Sequence, residues 1–411
     1  MPASGNIVTV TARGAARLRG GLPWVYADDI ARGDGEAAAG GADVVRVVDP
    51  RGATLGTALW APGARLPLRL LAREVVTLDA ALIEARIVAA DGLRRRLMPH
   101  ADAYRMVHAE ADGLPGLIVD RYADVCVMQT TARAMDAREA EIATVLARVT
   151  GARLIVARDD SSARDFEGLP RRRAVLHGDA TAAGATGGDA TTSGATTVQY
   201  HDAGNLFEVD VMTDGKTGAF LDQSENHARV AEYVPRGGEA LDAFTYHGGF
   251  ALALARGGAG AVLALDEAAP AVERARANAA RNGLGQVSVE QANAFDRLRQ
   301  LEADGRRFDV VVIDPPALAK RKSAFGAADR AYKELNLRAL RLAKPGGIVV
   351  TCSCSGKMTP ERFGAIVEDA ARDAGRGVQL LERRGAGRDH PPLIGVPETE
   401  YLKCWILRVL G

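Results

Sequence analysis

The carboxyl-terminal half of this chain predicts a doubly wound α/β sheet. From about Glu239 onward, short apolar strands alternate with helical patterns. Several of those strands end in glycine- or proline-bearing turns that carry acids, where open α/β sheets bind their ligands. The segments between the strands also carry helix start and stop residues, such as Pro270 near one beginning and Asn282-Gly283 at its end.

The elements follow in order. Ile7–Val10, Val44–Val48 and Leu66–Leu71 are β-rich and separated by turns such as Asp49-Pro50-Arg51-Gly52, which predicts a small β-barrel-like module. Apolar residues at helical spacing (Leu78, Leu82, Ile83, Ile87) predict a helix from Thr77 to Leu97. A hairpin of Leu117–Asp120 and Val125–Met128, a helix from about Asp136 to Val149 and a strand at Leu154–Ala157 form a second unit. The stretch from Ala180 to Thr197 lacks large apolar side chains, so it reads as a flexible excursion. In the last unit, strands are expected up to Leu241 and at Ala261–Asp266, Val287–Val289, Phe308–Ile313, Ile348–Thr351, Val378–Leu381 and Leu402–Val409.

At 411 residues the chain is long enough for two or three domains. No apolar run reaches the roughly 18 residues a membrane helix needs, and Met1–Gly5 does not resemble a signal peptide, so a cytoplasmic protein is expected. Four cysteines (Cys126, Cys352, Cys354, Cys404) are too few for a disulfide framework and show no zinc spacing, so no metal is expected. Charge is balanced, 52 Lys+Arg against 52 Asp+Glu, which by itself argues against a nucleic-acid partner. The basic residues nevertheless cluster in Arg94–Arg96, Arg171–Arg173 and Lys320–Lys322. The first two runs read as solvated surface.

The first strand of the sheet runs into Asp242-Ala243-Phe244-Thr245-Tyr246-His247-Gly248-Gly249-Phe250. Paired glycines let backbone approach a ligand, but the G-x-G-x-x-G spacing of a pyrophosphate site is absent. Asp266, about 20 residues on at the end of the second strand, is placed to accept hydrogen bonds from ribose hydroxyls. An adenosine-bearing cofactor without phosphates satisfies both conditions, and S-adenosylmethionine fits. A nicotinamide oxidoreductase does not.

The fourth strand ends in Asp314-Pro315-Pro316-Ala317 and the fifth in Thr351-Cys352-Ser353-Cys354-Ser355-Gly356. Two prolines stiffen the loop behind the carboxylate. An aromatic residue after them would suit stacking on a base methylated at its exocyclic amine. Ala317 stands there instead. A thiolate at the neighbouring strand end can add to carbon 6 of a pyrimidine and make carbon 5 nucleophilic, with Asp314 as the nearby acid. A cysteine within a strand is otherwise an inert small hydrophobe. Alternation puts Cys352 and Cys354 on one face of an extended strand, so spacing does not choose between them.

Several motifs together resemble the bacterial 23S rRNA cytosine-5 methyltransferases that join a PUA domain to a Rossmann-like class I methyltransferase domain. They are Pro23-Trp24-Val25-Tyr26, Asp112-Gly113-Leu114-Pro115-Gly116, Lys216–Gln223, Phe244–Phe250, Asp314–Pro316, Tyr332–Asn336, Ser353–Gly356 and Tyr401-Leu402-Lys403. The resemblance implies an N-terminal PUA β-barrel over residues 1–75, a central α/β domain over 76–205 with an insertion at 180–197, and a class I methyltransferase domain over 206–411. It assigns the nucleophile to Cys354. It assigns cofactor contacts to Phe244, Tyr246, Gly248, Gly249, Asp266, Asn293, Asp314, Asp222 and Gln223. RNA contacts are expected from Trp24, Tyr26, Lys320 and Arg321, with 23S rRNA as the partner. Asn293 stands where the family commonly has an acid, and Ser224 where an arginine often follows Leu-Asp-Gln. Rival readings are a methyltransferase for a guanine amine or a protein, and an inactive RNA-binding ribosome-assembly factor. An apolar strand edge at the end of the barrel leaves a homodimer open.

Overall fold

The computed structural model describes residues 6–31, 43–179, 196–318 and 325–411. The chain divides into two compact units: Met1–Gln199 with Val209–Ala219 and Arg388–Val396, and Tyr200–Glu208 with Phe220–Gly387 and Pro397–Gly411. Lys320 and Arg321, and residues 180–195 of the glycine- and threonine-rich stretch, lie outside the described residues. Thr197, at the end of that stretch, opens a strand.

The first unit begins with a five-stranded sheet. Its strands are β1 (Ile7–Thr9), β2 (Trp24–Val25), β3 (Val44–Val48), β4 (Thr54–Trp60) and β5 (Leu68–Ala72), in the order β1-β3-β4-β5-β2. Val8, Val10, Val45, Val47, Trp60 and Leu68 fill its core together with Ala15 and Leu18 of the helix Ala12–Arg19. A second sheet has the order β10-β9-β8-β7-β6, built from β6 (Ala103–His108), β7 (Leu117–Tyr122), β8 (Val125–Thr130), β9 (Leu154–Asp159) and β10 (Arg172–His177). Against it pack the helices Ala80–Leu97 and Glu139–Thr150, through Ile83, Ile87, Ile142, Val145 and Leu146. Asp79 caps the first helix, its side chain accepting from the Leu82 amide at 2.9 Å, which sets its start at Ala80, three residues inside the predicted Thr77–Leu97 span.

Arg94 departs from the expectation of a solvated run. It is fully buried, donating to Asp112 Oδ1 at 2.6 Å and to the Asp389 carbonyl at 2.9 Å, while Arg95 of the same run is exposed. Arg171–Arg173 are exposed as expected, although Arg172 also reaches Asp136 and Glu139. With Asp159, these two acids place three carboxylates within 4.8 Å of one another. Arg164 and Arg172 supply the counter-charge, and burial with the Asp159 neighbour pushes the Glu139 carboxyl up to about 7.

A hairpin of β11 (Thr197–Asp202) and β12 (Asn205–Asp210) follows. The second unit is then built on a seven-stranded sheet of β13 (Glu239–Ala243), β14 (Ala261–Asp266), β15 (Val287–Gln291), β16 (Phe308–Ile313), β17 (Ala343–Ser353), β18 (Val378–Arg384) and β19 (Lys403–Val409). Its order is β15-β14-β13-β16-β17-β19-β18, with β13 to β17 mutually parallel and β19 antiparallel to both neighbours. The reversal between β13 and β16 leaves a crevice at the carboxyl ends of the strands. On one face, Leu298, Leu335, Ala339, Phe363 and Val367 from three helices cover Leu241, Val311 and Val349 of the sheet. No helix among the described residues is long and apolar enough to cross a membrane.

Candidate active site

The turn after β13 is held by Asp242. Its Oδ2 accepts from Thr245 Oγ1 at 2.6 Å and from the Ala251 amide at 2.9 Å, tying the turn to the helix Gly249–Gly257. Asp242 Oδ1 is buried without a hydrogen-bond partner among the described residues, and burial pushes the carboxyl up to about 6. Phe244 and Tyr246 sit at positive φ (69° and 52°), so the turn is a tight left-handed one carrying two half-buried aromatic rings. Tyr246 stacks on His247 at 3.7 Å and meets the edge of Phe220 at 4.9 Å; Phe244 meets Phe295 at 6.2 Å.

The two glycines have separate reasons. Gly248 caps the helix at φ 94°, where an L side chain is strained. Gly249 gives room to an imidazole: a Cβ there would lie 2.4 Å from the His227 ring. His227 is buried, its Nδ1 2.7 Å from Asp202 Oδ2. Burial opposes its charge, but Asp202, with Asp242 and Asp314 behind it, raises its pKa overall.

Asp266, half-buried at the end of β14, accepts from the Tyr246 amide at 2.9 Å and from the Ala268 amide at 3.0 Å. It therefore shapes the turn as well as standing at the crevice. Asn293 is exposed and caps the helix Ala294–Ala303, its Oδ1 accepting from the Phe295 and Asp296 amides at 3.0 and 3.4 Å. An aspartate would cap equally well, which explains why the departure from an acid is tolerated locally.

Asp314 follows β16 directly, and Gln223 Nε2 donates to its Oδ2 at 3.0 Å. Burial, with the charges of Asp222 and Asp242, pushes the Asp314 carboxyl up to about 7 against the opposing effects of the Gln223 bond and His227. Asp222 and Gln223 are both buried; Tyr401 donates to Asp222 Oδ2 at 2.6 Å and Asn226 to Gln223 Oε1 at 2.6 Å.

The two strand-end cysteines part company. Cys352 lies inside β17, directly opposite Cys404 of β19, and is fully buried. Burial and Cys404 push its thiol well above the ordinary value. Cys354 stands one residue past the end of β17 and is partly exposed. Because β16 and β17 are adjacent parallel strands, with Ile313 paired to Thr351, Asp314 and Cys354 leave neighbouring strand ends at one edge of the sheet. Around Cys354, Ser353 Oγ donates to the Tyr332 hydroxyl at 2.9 Å, and Ser355 Oγ lies 3.3 Å from the same oxygen.

In the first unit, Trp24 and Tyr26 are half-buried. The Trp24 indole N–H is already committed to Glu110 Oε1 at 2.9 Å, so only its ring remains for a ligand. Sequence reasoning passed over Asp242, His227 and Tyr401 as site residues. Asp242 had a signal, since it closes the first strand ahead of the glycine turn; His227 had none, because its partner Asp202 lies on a distant hairpin.

Comparison with known proteins bears on the family and the fold. Residues 187–404 match the S-adenosylmethionine-dependent methyltransferase family and residues 8–73 the PUA-like domain. The chain is 36% identical over 392 residues to ribosomal RNA large subunit methyltransferase I of Shewanella denitrificans, covering 94% of this chain and 95% of that one. The protein of the same name from Vibrio cholerae is 34% identical over 400 residues, 96% of both chains. The chain belongs to this methyltransferase family. Among solved structures, a methyltransferase crystallised with S-adenosylhomocysteine has a TM-score of 0.80 at 19% identity, over 98% of this chain and all of that one. An S-adenosylmethionine-dependent methyltransferase from Streptococcus mutans has a TM-score of 0.79 at 18% identity, with the same coverage. Both likenesses bear on fold, and they extend along the whole chain.

The donor set fits the cofactor of this S-adenosylmethionine-dependent enzyme. The orphaned Asp242 oxygen asks for a cationic donor such as an amino group, Asp266 offers a carboxylate to hydroxyls, and no cradle for phosphates is present in the turn.

Proposed function

We propose that the enzyme forms 5-methylcytosine in 23S rRNA through a covalent adduct of Cys354. The observation that carries this reading is the separation of the cysteines: Cys352 is sequestered against Cys404, whereas Cys354 emerges beside the Asp314 strand end. The rRNA substrate is supported by the names of relatives aligned over nearly the whole chain, and a PUA-like module supplies a surface for RNA. A protein acting on rRNA works in the cytoplasm.

Phe244, Tyr246, Gly248, Gly249, Asp266, Asn293, Asp222, Gln223, Asp242 and Asp314 would hold S-adenosylmethionine. When bound, the cofactor supplies an electrophilic sulfonium methyl group. Cys354 thiolate adds to carbon 6 of the cytosine, and the ring electrons move toward N3. Asp314, kept partly neutral by its raised pKa, donates its proton to N3 as charge develops there. Carbon 5 then carries the electron density that accepts the methyl. Water takes the carbon 5 proton, the electrons of that C–H bond restore the C5–C6 double bond and expel the Cys354 thiolate, and N3 returns its proton to Asp314. Trp24 and Tyr26 offer ring faces to RNA, and Lys320 and Arg321 phosphate contacts.

Nucleoside mass spectrometry of large-subunit rRNA, from cells with and without the protein, tests the product. Loss of 5-methylcytosine at one site is expected in its absence; loss of a methylated guanine instead would overturn the assignment. Cys354→Ala should abolish methylation, and unchanged activity would exclude the covalent route.

A further inference from the structure

One strong charge near the nucleophile has no role in the scheme above. Lys403 opens β19 and is 3% exposed. It lies opposite Ser353 in the β17–β19 ladder, one residue from Cys354. Its Nζ donates to the Ser355 carbonyl at 2.8 Å and to the Tyr401 carbonyl at 2.7 Å. Both contacts are neutral oxygens, and neither these nor any ion pair among the described residues sets a carboxylate against Lys403. An ammonium carries three N–H donors, so one remains after these two bonds.

Burying a cation without a counter-ion is costly, which is why buried lysines are normally paired or neutralised. Burial accordingly pulls the Lys403 pKa down to about 8, and a negative Cys354 acts in the opposite direction. The ammonium still dominates at neutral pH. Among the described residues, Tyr332 from the helix Phe325–Leu342 also acts on Cys354; burial raises its pKa despite the Ser353 and Ser355 bonds, so it stays neutral. Asp314 acts on Cys352. Among the described residues, Lys403 is thus a buried cation held on the residue after the proposed nucleophile, with its charge felt by Cys354.

We propose that Lys403 is a positioning residue whose ammonium, fixed on the Ser355 and Tyr401 carbonyls, completes its charge pairing with the Cys354 thiolate and so keeps the nucleophile ionised near neutral pH. The cation also receives the thiolate again when the adduct collapses, which favours product release. This rests on the reading of Cys354 as the nucleophile, and its test is separable from that reading.

The test is the pH dependence of iodoacetamide alkylation at Cys354, read by mass spectrometry of its peptide in the full chain. Cys126, Cys352 and Cys404 are buried and serve as slow internal controls. In the unmodified protein the midpoint should fall clearly below the ordinary thiol value of about 8.5. Lys403→Met should raise it by about one unit or more, a tenfold smaller thiolate fraction at neutral pH, and Lys403→Arg should restore part of the shift. An unmodified-protein midpoint at or above about 8.5 overturns the proposal without any variant. So does an identical midpoint in Lys403→Met with an unchanged melting curve. Separately, if Cys354→Ala still methylates RNA, the nucleophile reading fails. If Cys354→Ala is inactive while the midpoint ignores Lys403, only the lysine role fails.

Discussion

Gly249→Ala isolates the packing that fixes the cofactor turn. The added Cβ would fall 2.4 Å from His227 Cε1 and 2.5 Å from Nε2, about 1 Å inside ordinary contact. The imidazole has little room to yield. It is anchored on Asp202 at 2.7 Å and packed edge-on against Phe250 at 4.5 Å. Overpacking of this kind costs roughly 1–3 kcal/mol, and displacing the ring sacrifices a charge-assisted bond of about 1.5–3 kcal/mol. Replacing glycine by alanine in a helix returns at most about 1 kcal/mol. The clash therefore wins, with a net loss of about 2–4 kcal/mol. The assay is denaturant unfolding, combined with His227→Ala in a double-mutant cycle. Once the ring is gone, alanine at 249 should be neutral or mildly stabilising, giving a coupling above about 1 kcal/mol. Calorimetric titration should also show weaker S-adenosylmethionine binding for the single variant. A loss below about 0.5 kcal/mol with no coupling would refute the reasoning, since additivity of that kind marks sites that do not touch.

Further expectations follow from other contacts. Asp314, raised to about 7, is protonated below that pH and ionised above it, so kcat/KM should decline as pH rises through about 7. Asp314→Asn should lower kcat/KM by about 10²-fold or more and remove this limb from the pH–rate profile; an unchanged limb would assign it elsewhere. The raised Glu139 carboxyl binds its proton more tightly in the folded state, so its contribution to stability is present below about pH 4.5 and lost as pH rises through about 7. Glu139→Gln should therefore raise Tm at pH 8 more than at pH 5, as measured by calorimetry. Tyr401→Phe takes a 2.6 Å donor from the buried Asp222 and should cost about 1–3 kcal/mol in unfolding free energy while weakening cofactor binding. Removing charge at Lys320 and Arg321 should flatten the salt dependence of RNA affinity, and a constant slope in filter binding would make them bystanders.

The second unit was more readable than the first for a physical reason. Parallel strands buried on both faces appear as unbroken apolar runs, so Ala261–Asp266 and Phe308–Ile313 were located to the residue. The first unit offers weaker patterns. The helix Ala12–Arg19 holds few apolar residues, and the strand Thr54–Trp60 begins with Thr-Leu-Gly-Thr; neither was anticipated. Arg94 shows a different limit. A run of three arginines looks solvated, but burial of the first is decided by Asp112 and by the Asp389 carbonyl, 295 positions away. Local sequence contains no trace of that partner. Gly249 is similar: the glycine pair was visible, yet its cause was an imidazole from another element rather than ligand approach alone.

The same distinction separates the cysteines at the sheet edge. Alternation treats residues 352 and 354 as equivalent only while the strand continues, and β17 stops at Ser353. Cys352 then belongs to the ladder, where its opposite number is Cys404, and burial suppresses its ionisation. Cys354 belongs to the loop, free of ladder geometry and within the influence of Lys403. Reactivity requires a thiolate, so position relative to one strand terminus divides an inert thiol from a candidate nucleophile. Lys403 opens a strand, Lys403–Val409, whose other charged residue is the exposed Arg408. The meaning of Lys403 depended on the antiparallel register that sets it opposite Ser353.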